Sequence, residues 1–471
     1  MFPAVGTAPL TPASTTPKLM SPESIEDIAS ELGSFDAAQR RHALERLVRV
    51  AGQEAFNPRR PEVNLHCHTF FSYNAYGYSP SRFAWEACRY GLEVAGIVDF
   101  DVLDGVQEFL EAGRLLHLKT VAGFETRVFV GELQGKVTNS PHEPGVSYFI
   151  TTGFVAPPRP GTAAGSVLAR MRDCARRRNR RMLDRVNAHL DPVSIDYERD
   201  VLPLTPAGNA TERHMLIAYE RRARQTFPDG RDLVRFWSAK LNEPRESLEK
   251  LLEDPVAFRN LMRMRLMKHG GVGYAAPEEG SFPSLEEVVR MTLDCEAVPV
   301  GGWLDGTNDG EADPVELFRL WLSKGIPTVS IIPDRNWNLT GPREKALKVQ
   351  KFHEAVDAAK RLNMPILVGT EMNADGQKFV DTFAAPEMEL HRQVFLDGAR
   401  FAWGHTLLRM TAGVGCTGKW AERHFGGNAA RRNEFFQRVG RAACLDEEVM
   451  LRLKDQGDDA APEAILRALT G

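Results

Sequence analysis

The stretch V-N-L-H-C-H-T at residues 63–69 places two histidines one residue apart at the end of a short apolar run. The run has the character of a β-strand, and side chains at positions i and i+2 of a strand point the same way. His66 and His68 could therefore bind one metal ion together. Two ordinary histidines at a strand end are the alternative, and the rest of the chain has to decide between them.

Two more apolar runs follow the first, and each leads directly into an acidic residue. V-A-G-I-V at 94–98 precedes Asp99, and K-T-V-A-G-F at 119–124 precedes Glu125. Segments with helical spacing separate these runs. Alternating strands and helices predict a parallel βα arrangement, in which functional side chains gather at the C-terminal ends of the strands. We expect both acidic residues, like the two histidines, to lie at such ends.

The chain of 471 residues is longer than one hydrophobic core usually serves, so several structural units are expected. Apolar spacing, prolines and glycines divide it into six segments. These are a disordered leader at 1–22, an N-terminal helix at 23–60, a first βα part at 61–156, a helical insertion at 157–290, a second βα part at 291–400 and a helical C-terminal extension at 401–471.

Composition excludes several classes of protein. Hydrophobic residues make up 43% and charged residues 26%, which is ordinary for a globular protein. A net charge of -4 gives no overall attraction to nucleic acid or anionic membrane, so an anionic substrate would need a local site. Six scattered cysteines without a C-x-x-C pair favour a reducing cytoplasm. No apolar run of about 18 residues occurs, so we expect no membrane contact. The oligomeric state stays open.

Four ordered motifs resemble those of the PHP superfamily, named for polymerase and histidinol phosphatase. They are N-L-H-C-H-T at 64–69, V-D-F-D-V-L-D-G at 98–105, G-F-E at 123–125 and G-T-E-M-N at 369–373. The resemblance covers about 61–155 and 290–385. It implies an α/β fold, a distorted (β/α)7-like barrel that here carries a helical insertion and a helical C-terminal extension. It also implies the metal-dependent hydrolysis of phosphate esters.

The chain departs from the pattern of that superfamily at several ligand positions. Phe100 stands where such proteins have the histidine of T-D-H-D, and V-G-G at 300–302 replaces A-H-P. The final D-x-H becomes E-M-N at 371–373, and Asn74 takes the place of an acidic residue. A histidine usually found in the strand after G-x-E is absent from 148–154. A full trinuclear site is therefore not expected.

The remaining pattern implies a smaller metal site. The expected ligands are His66, His68, Glu125, Glu371 and Asn373. Such a set of nitrogen and oxygen ligands suits one or two divalent ions, namely zinc, manganese or iron. A bound divalent ion lowers the pKa of water from about 15.7 toward 7 and polarises a phosphoryl oxygen. Asp99 and Asp101 are the candidate catalytic carboxylates that orient this water, with capping of the following helix as their alternative role.

A phosphate ester also needs cationic donors for its oxygens. The candidate substrate-binding residues are Arg127, Arg213, His214, Arg335 and Lys378. Arg213 and His214 are loosely similar to an R-P-H sequence in the insertion of the phosphoesterase branch. We expect a small phosphorylated substrate.

Two other segments offer competing interpretations. Eight arginines within 170–185 predict a solvated helix, with contact to phosphate or nucleic acid as the alternative. G-V-G-C-T-G-K-W at 413–420 approaches a P-loop, but Trp420 stands where a magnesium-binding Ser or Thr belongs.

The leading interpretation is a metal-dependent hydrolase, a phosphoesterase that uses a metal-activated water. The alternative is a degenerate relative that binds a metal or small ligand without turning it over.

Overall fold

The computed structural model of the protein describes residues 22–52, 55–278, 280–454 and 456–470. The disordered leader expected at 1–22 lies outside these residues, except for Pro22, which begins the first helix.

Seven strands form one mixed sheet in chain order. The strands are β1 (Val63–Cys67), β2 (Val94–Phe100), β3 (Lys119–Phe129), β4 (Val146–Thr152), β5 (Val298–Trp303), β6 (Thr328–Ile331) and β7 (Ile366–Val368). All neighbouring pairs are parallel except those of β4, which runs antiparallel to both β3 and β5. A bridge between Cys67 and Glu371 brings the chain beyond β7 back to β1, so the sheet nearly closes. The α/β class and the distorted seven-stranded barrel are confirmed.

The predicted parallel βα arrangement holds for β1 to β3 but not for β4. Strand β3 does not end before Glu125 but continues to Phe129, and its second half pairs with β4. The connection at 130–145 contains only a short 3₁₀ turn, at Gly131–Leu133. Because this connection contains no crossover helix, β4 returns antiparallel to β3. Glu125 therefore lies within a strand rather than at its end.

The N-terminal part packs helices against the barrel. These helices are α1 (Pro22–Glu31), α2 (Ala37–Val50), α3 (Pro80–Tyr90) and α4 (Val106–Leu115). The single helix expected over 23–60 is thus two helices. Asp36 starts the second one, because its carboxylate accepts hydrogen bonds from the backbone N–H groups of Ala38 and Gln39.

Within the described residues, six α-helices lie between β4 and β5, and the first five form the insertion. These five are α5 (Ala163–Leu190), α6 (Glu212–Thr226), α7 (Gly230–Leu241), α8 (Arg245–Glu253) and α9 (Pro255–Leu266). They enclose a hydrophobic cluster of their own around Tyr219, Trp237 and Phe258. The first half of α5 instead joins the barrel core through Met171, so α5 connects the two cores.

The remaining helices surround the second half of the barrel and form the C-terminal region. They are α10 (Leu285–Asp294), α11 (Pro314–Ser323), α12 (Asp334–Trp337), α13 (Pro342–Arg361), α14 (Pro386–Glu389), α15 (Arg392–Thr411), α16 (Lys419–Phe425), α17 (Ala429–Ala442), α18 (Glu447–Lys454) and α19 (Pro462–Thr470).

Helix α15 is the central helix of the C-terminal region, and it packs directly on β7. The segment at 413–418 joins α15 to α16, so the strand, loop and helix order of a P-loop is absent there.

Among the helices of the described part of the chain, none combines the length and apolar character needed to cross a membrane.

Candidate metal centre

Three buried side chains bring their ligand atoms together at one end of the barrel. His66 and His68 come from β1 and the residue following it, and Glu125 comes from the middle of β3. Oε2 of Glu125 lies 3.4 Å from Nε2 of His66 and 3.0 Å from Nε2 of His68. One ligand atom from each residue lies within 4.8 Å of the others, and no other such group of three occurs in the described residues. Both Nε2 atoms are buried and make no hydrogen bond.

The hydrogen bonds of His68 leave its Nε2 free to bind a metal. The Ser72 hydroxyl donates its one hydrogen to Oδ1 of Asp99, at 2.7 Å. The same hydroxyl oxygen lies 3.1 Å from Nδ1 of His68, so it must accept a hydrogen from that nitrogen. In the neutral ring, Nε2 then carries the lone pair that points at Glu125. A histidine ligand usually has its second nitrogen fixed in this way.

His66 has a similar partner on another strand. Its Nδ1 lies 3.3 Å from the hydroxyl of Ser330 in β6.

Burial alone would raise the pKa of Glu125, but the adjacent His66 and His68 lower it to about 2. Burial alone would lower the pKa of His68, yet Glu125 raises it above its ordinary value. Two buried ring nitrogens and one carboxylate thus converge at a point that attracts positive charge.

This set of residues fits a catalytic metal site. Two histidines and one glutamate, with a fourth position left for water, are a known ligand set for catalytic zinc. Without a cation, the two buried Nε2 atoms have only the carboxylate of Glu125 as a polar neighbour within the described part of the chain. His66, His68 and Glu125 could therefore hold one divalent ion.

Asp99 holds the loop that follows His68. Its carboxylate accepts hydrogen bonds from the backbone N–H and hydroxyl of Thr69, at 2.7 and 2.6 Å, and from Ser72. Burial raises the pKa of Asp99. Because both oxygens are engaged by this loop, Asp99 orients His68 through Ser72.

Asp101 lies nearer to the open side of the site. Its backbone adopts a left-handed conformation, with φ of 61°, and its N–H donates to the carbonyl of Glu125. Oδ1 accepts a hydrogen bond from Thr126, and Oδ2 lies 3.8 Å from the guanidinium of Arg178. Burial raises the pKa of Asp101.

The motif after β7 contributes less directly than expected. The Oε2 atom of Glu371 accepts hydrogen bonds from Arg335 at 2.5 Å and from Gln377 at 2.8 Å. Glu371 lies outside the group of three ligands, although its charge contributes to raising the pKa of His68. The structure therefore brings His66, His68 and Glu125 together, and a ligand role for Asn373 stays a prediction.

Two of the expected cationic residues lie beside the site. Arg127 follows Glu125 on the same face of β3 and pairs with Glu143 at 3.0 Å. Arg335 pairs with Glu371, as described above.

The other three have partners of their own, and their contact with a substrate stays a prediction. Nδ1 of His214 accepts the backbone N–H of Thr211 and caps α6, and burial lowers the pKa of His214 to about 4. Arg213 donates to Asn260, at 2.9 Å. Lys378 lies 2.7 Å from a carboxylate oxygen of Asp334.

Sequence reasoning missed several residues around the site. Arg178 belongs to the arginine-rich segment of α5, for which a solvated helix was the leading prediction. Instead it is half-buried, lies near Asp101, and stacks on the ring of Phe282 with 4.5 Å to the centroid. Arg127 approaches the same ring, also at 4.5 Å. The local sequence around Arg178 does not distinguish it from the other arginines of α5.

Two substitutions relative to the PHP pattern are visible in the geometry. The ring of Phe100 packs against that of His68, with 4.3 Å between the centroids. The amide of Asn74 donates to the carbonyl of His68, and its oxygen accepts the N–H groups of Tyr76 and Tyr78. Phe100 thus packs against a ligand without supplying one, and Asn74 holds the loop.

Comparison with known proteins finds solved structures that resemble part of this chain. No protein-family model matches the chain, and no curated protein matches it. An amidohydrolase from Chromobacterium violaceum, with bound sulfate and no metal, is 15% identical; the match covers 67% of this chain and 88% of that one, with a TM-score of 0.45. A proposed metal-dependent phosphoesterase from Bifidobacterium adolescentis is 17% identical; the match covers 71% of this chain and 98% of that one, with a TM-score of 0.45.

Proposed function

We propose that this protein is a metal-dependent hydrolase that acts on a small phosphate ester. The observation that carries the proposal is the pair of buried Nε2 atoms of His66 and His68, which lack hydrogen bonds and face the carboxylate of Glu125. The resemblance of the four sequence motifs to the PHP superfamily supports the choice of phosphate esters. One zinc, manganese or iron ion fits three ligands and added water.

The residues around the cluster have separate tasks in this proposal. A divalent ion, when bound, would polarise a phosphoryl oxygen and lower the pKa of water. Asp99 and Ser72 hold His68 with its Nε2 lone pair toward the ion. Oδ2 of Asp101 would accept the proton of the attacking water, since this oxygen has no hydrogen-bond donor at short range. Arg127 and Arg335 would hold the negative oxygens of the ester.

Metal analysis and a substrate screen test the proposal together. Protein purified without chelator should contain about one transition-metal ion per chain, and it should hydrolyse at least one phosphate mono- or diester. His66→Ala and Glu125→Gln should lose both metal and activity. His42→Ala is the matched control, because His42 is exposed on α2. Activity that survives both site substitutions would contradict the proposal, as would a protein that cannot be loaded with metal.

A degenerate protein that binds a metal or small ligand without turnover is the second candidate. The packing of Phe100 on His68 favours it, because a hydrocarbon ring occupies the position of a ligand in the PHP pattern. This candidate predicts normal metal loading, no hydrolysis of any ester, and no gain in metal stoichiometry above one. Turnover by wild-type protein that disappears in Glu125→Gln would exclude it.

A further inference from the structure

Tyr148 faces the metal centre from the strand beside Glu125. In the antiparallel pairing of β3 and β4, Arg127 lies opposite Tyr148 and Glu125 lies opposite Ile150. Directly opposed side chains share one face of a sheet, and so do residues two apart on one strand. Tyr148, Arg127 and Glu125 therefore share the face that carries the candidate metal site.

The ring contacts of Tyr148 place it next to the ligands. Its ring centroid lies 6.2 Å from that of Phe100, which packs in turn on the ring of His68. The guanidinium carbon of Arg127 lies 5.9 Å from the Tyr148 ring centroid. A chain of short contacts thus connects the phenol to His68 on one side and to Arg127 on the other.

Tyr148 is half-buried, and its hydroxyl has no hydrogen-bond partner within the described part of the chain. The charged groups of Arg127, Glu125, Glu212 and Glu143 surround it. Packing accounts for the ring, and the hydroxyl is available to donate a hydrogen bond to a group bound beside it.

We propose that Tyr148 is a catalytic residue, whose phenolic O–H donates a hydrogen bond to an oxygen of the anionic group bound at the His66, His68 and Glu125 site. This inference rests on the proposed function. A phenol is a neutral donor, so it adds a hydrogen bond without adding a charge that would compete with the metal. The Tyr148 hydroxyl would add to Arg127 and Arg335, which are also paired with carboxylates, a donor that has no other partner in the described part of the chain.

Tyr148→Phe tests the inference, because it removes the hydroxyl and keeps the ring. The probe is inorganic phosphate, titrated calorimetrically into protein loaded with zinc. The variant should retain the zinc content and melting temperature of the wild type and bind phosphate about 10- to 100-fold more weakly, the usual value of a hydrogen bond to a charged group. Tyr90→Phe, on the outer helix α3, is the matched control and should bind phosphate like the wild type.

The possible failures can be told apart. Equal phosphate affinity in Tyr148→Phe and wild type would overturn the role of Tyr148 and leave the proposed function standing. Zinc-loaded wild type that binds no phosphate would overturn the phosphoesterase proposal, and the role of Tyr148 with it. A weaker affinity that appears equally in Tyr90→Phe would also overturn the inference, because the effect would not belong to the site.

Discussion

Replacing Ser72 with alanine should weaken zinc binding, although Ser72 is not itself a ligand. Its hydroxyl accepts a hydrogen bond from Nδ1 of His68 and donates one to Asp99. In Ser72→Ala, the Nδ1–H group of His68 loses its acceptor in a site where His68 has no exposed surface. The proton is then free to occupy Nε2 instead, where it would compete with the metal.

The size of the effect follows from the buried hydrogen bonds. A buried polar group left without a partner costs about 1 to 3 kcal/mol. Part of this cost is already present in the metal-free protein and cancels from the binding equilibrium. Loss of a hydrogen bond that orients a metal ligand typically reduces metal affinity about 10- to 100-fold. We therefore expect the zinc dissociation constant of Ser72→Ala to rise by this factor, with the stoichiometry unchanged.

Competition with a chromophoric zinc chelator measures this change. Ser166→Ala is the matched control, because Ser166 is exposed near the start of α5 and its hydroxyl bonds only to a backbone carbonyl one turn earlier. The control should bind zinc like the wild type. A Ser72→Ala protein that folds and binds zinc with wild-type affinity would refute the assignment of the His68 lone pair to Nε2.

Three further predictions concern stability and are tested by denaturant unfolding. Arg40→Met should cost about 3 kcal/mol, because it leaves Glu108 without the buried cation that binds both its oxygens, whereas Arg41→Met, in an exposed ion pair, should cost less than about 0.5 kcal/mol. Equal losses would contradict this. Gly398→Ala would place a Cβ atom 1.9 Å from a backbone oxygen of β7 and should cost at least about 3 kcal/mol; a neutral result would show that α15 can move away. Burial raises the pKa of Glu311 to about 7, so its folded form prefers the proton. Its contribution is complete below about pH 4.5 and is lost as pH rises through 7, so wild type should lose about 2 kcal/mol between pH 5 and 8 relative to Glu311→Gln. Parallel pH profiles would contradict this last prediction.

The local pattern of the sequence predicted the part of the site that depends on strand geometry. The spacing of His66 and His68 already implied that both side chains point the same way, because alternation in a strand is a local property. The apolar run before Glu125 likewise indicated its strand. What the run did not show is that this strand continues to Phe129, because the continuation depends on pairing with β4 rather than on composition.

The rest of the site depends on contacts between distant parts of the chain. Ser330 contacts His66 across 264 residues of sequence. Arg178 is one arginine among eight, and only the docking of α5 beside Phe282 selects it. Glu371 and Met372 both adopt left-handed conformations, with φ of 67° and 55°, and this turn directs the Glu371 carboxylate toward Arg335. No local rule for residue spacing predicts such a turn for two residues other than glycine.

X-ray absorption at the zinc edge, on protein loaded with one zinc ion per chain, tests the central claim most directly. The claim is that His66, His68 and Glu125 bind the metal. It predicts two imidazole ligands at about 2.0 to 2.1 Å, with oxygen in the remaining positions. It also predicts that the imidazole signal disappears in the His66→Ala, His68→Ala double variant and persists in His42→Ala. A sulfur ligand at about 2.3 Å, or an imidazole signal unchanged in the double variant, would contradict the claim.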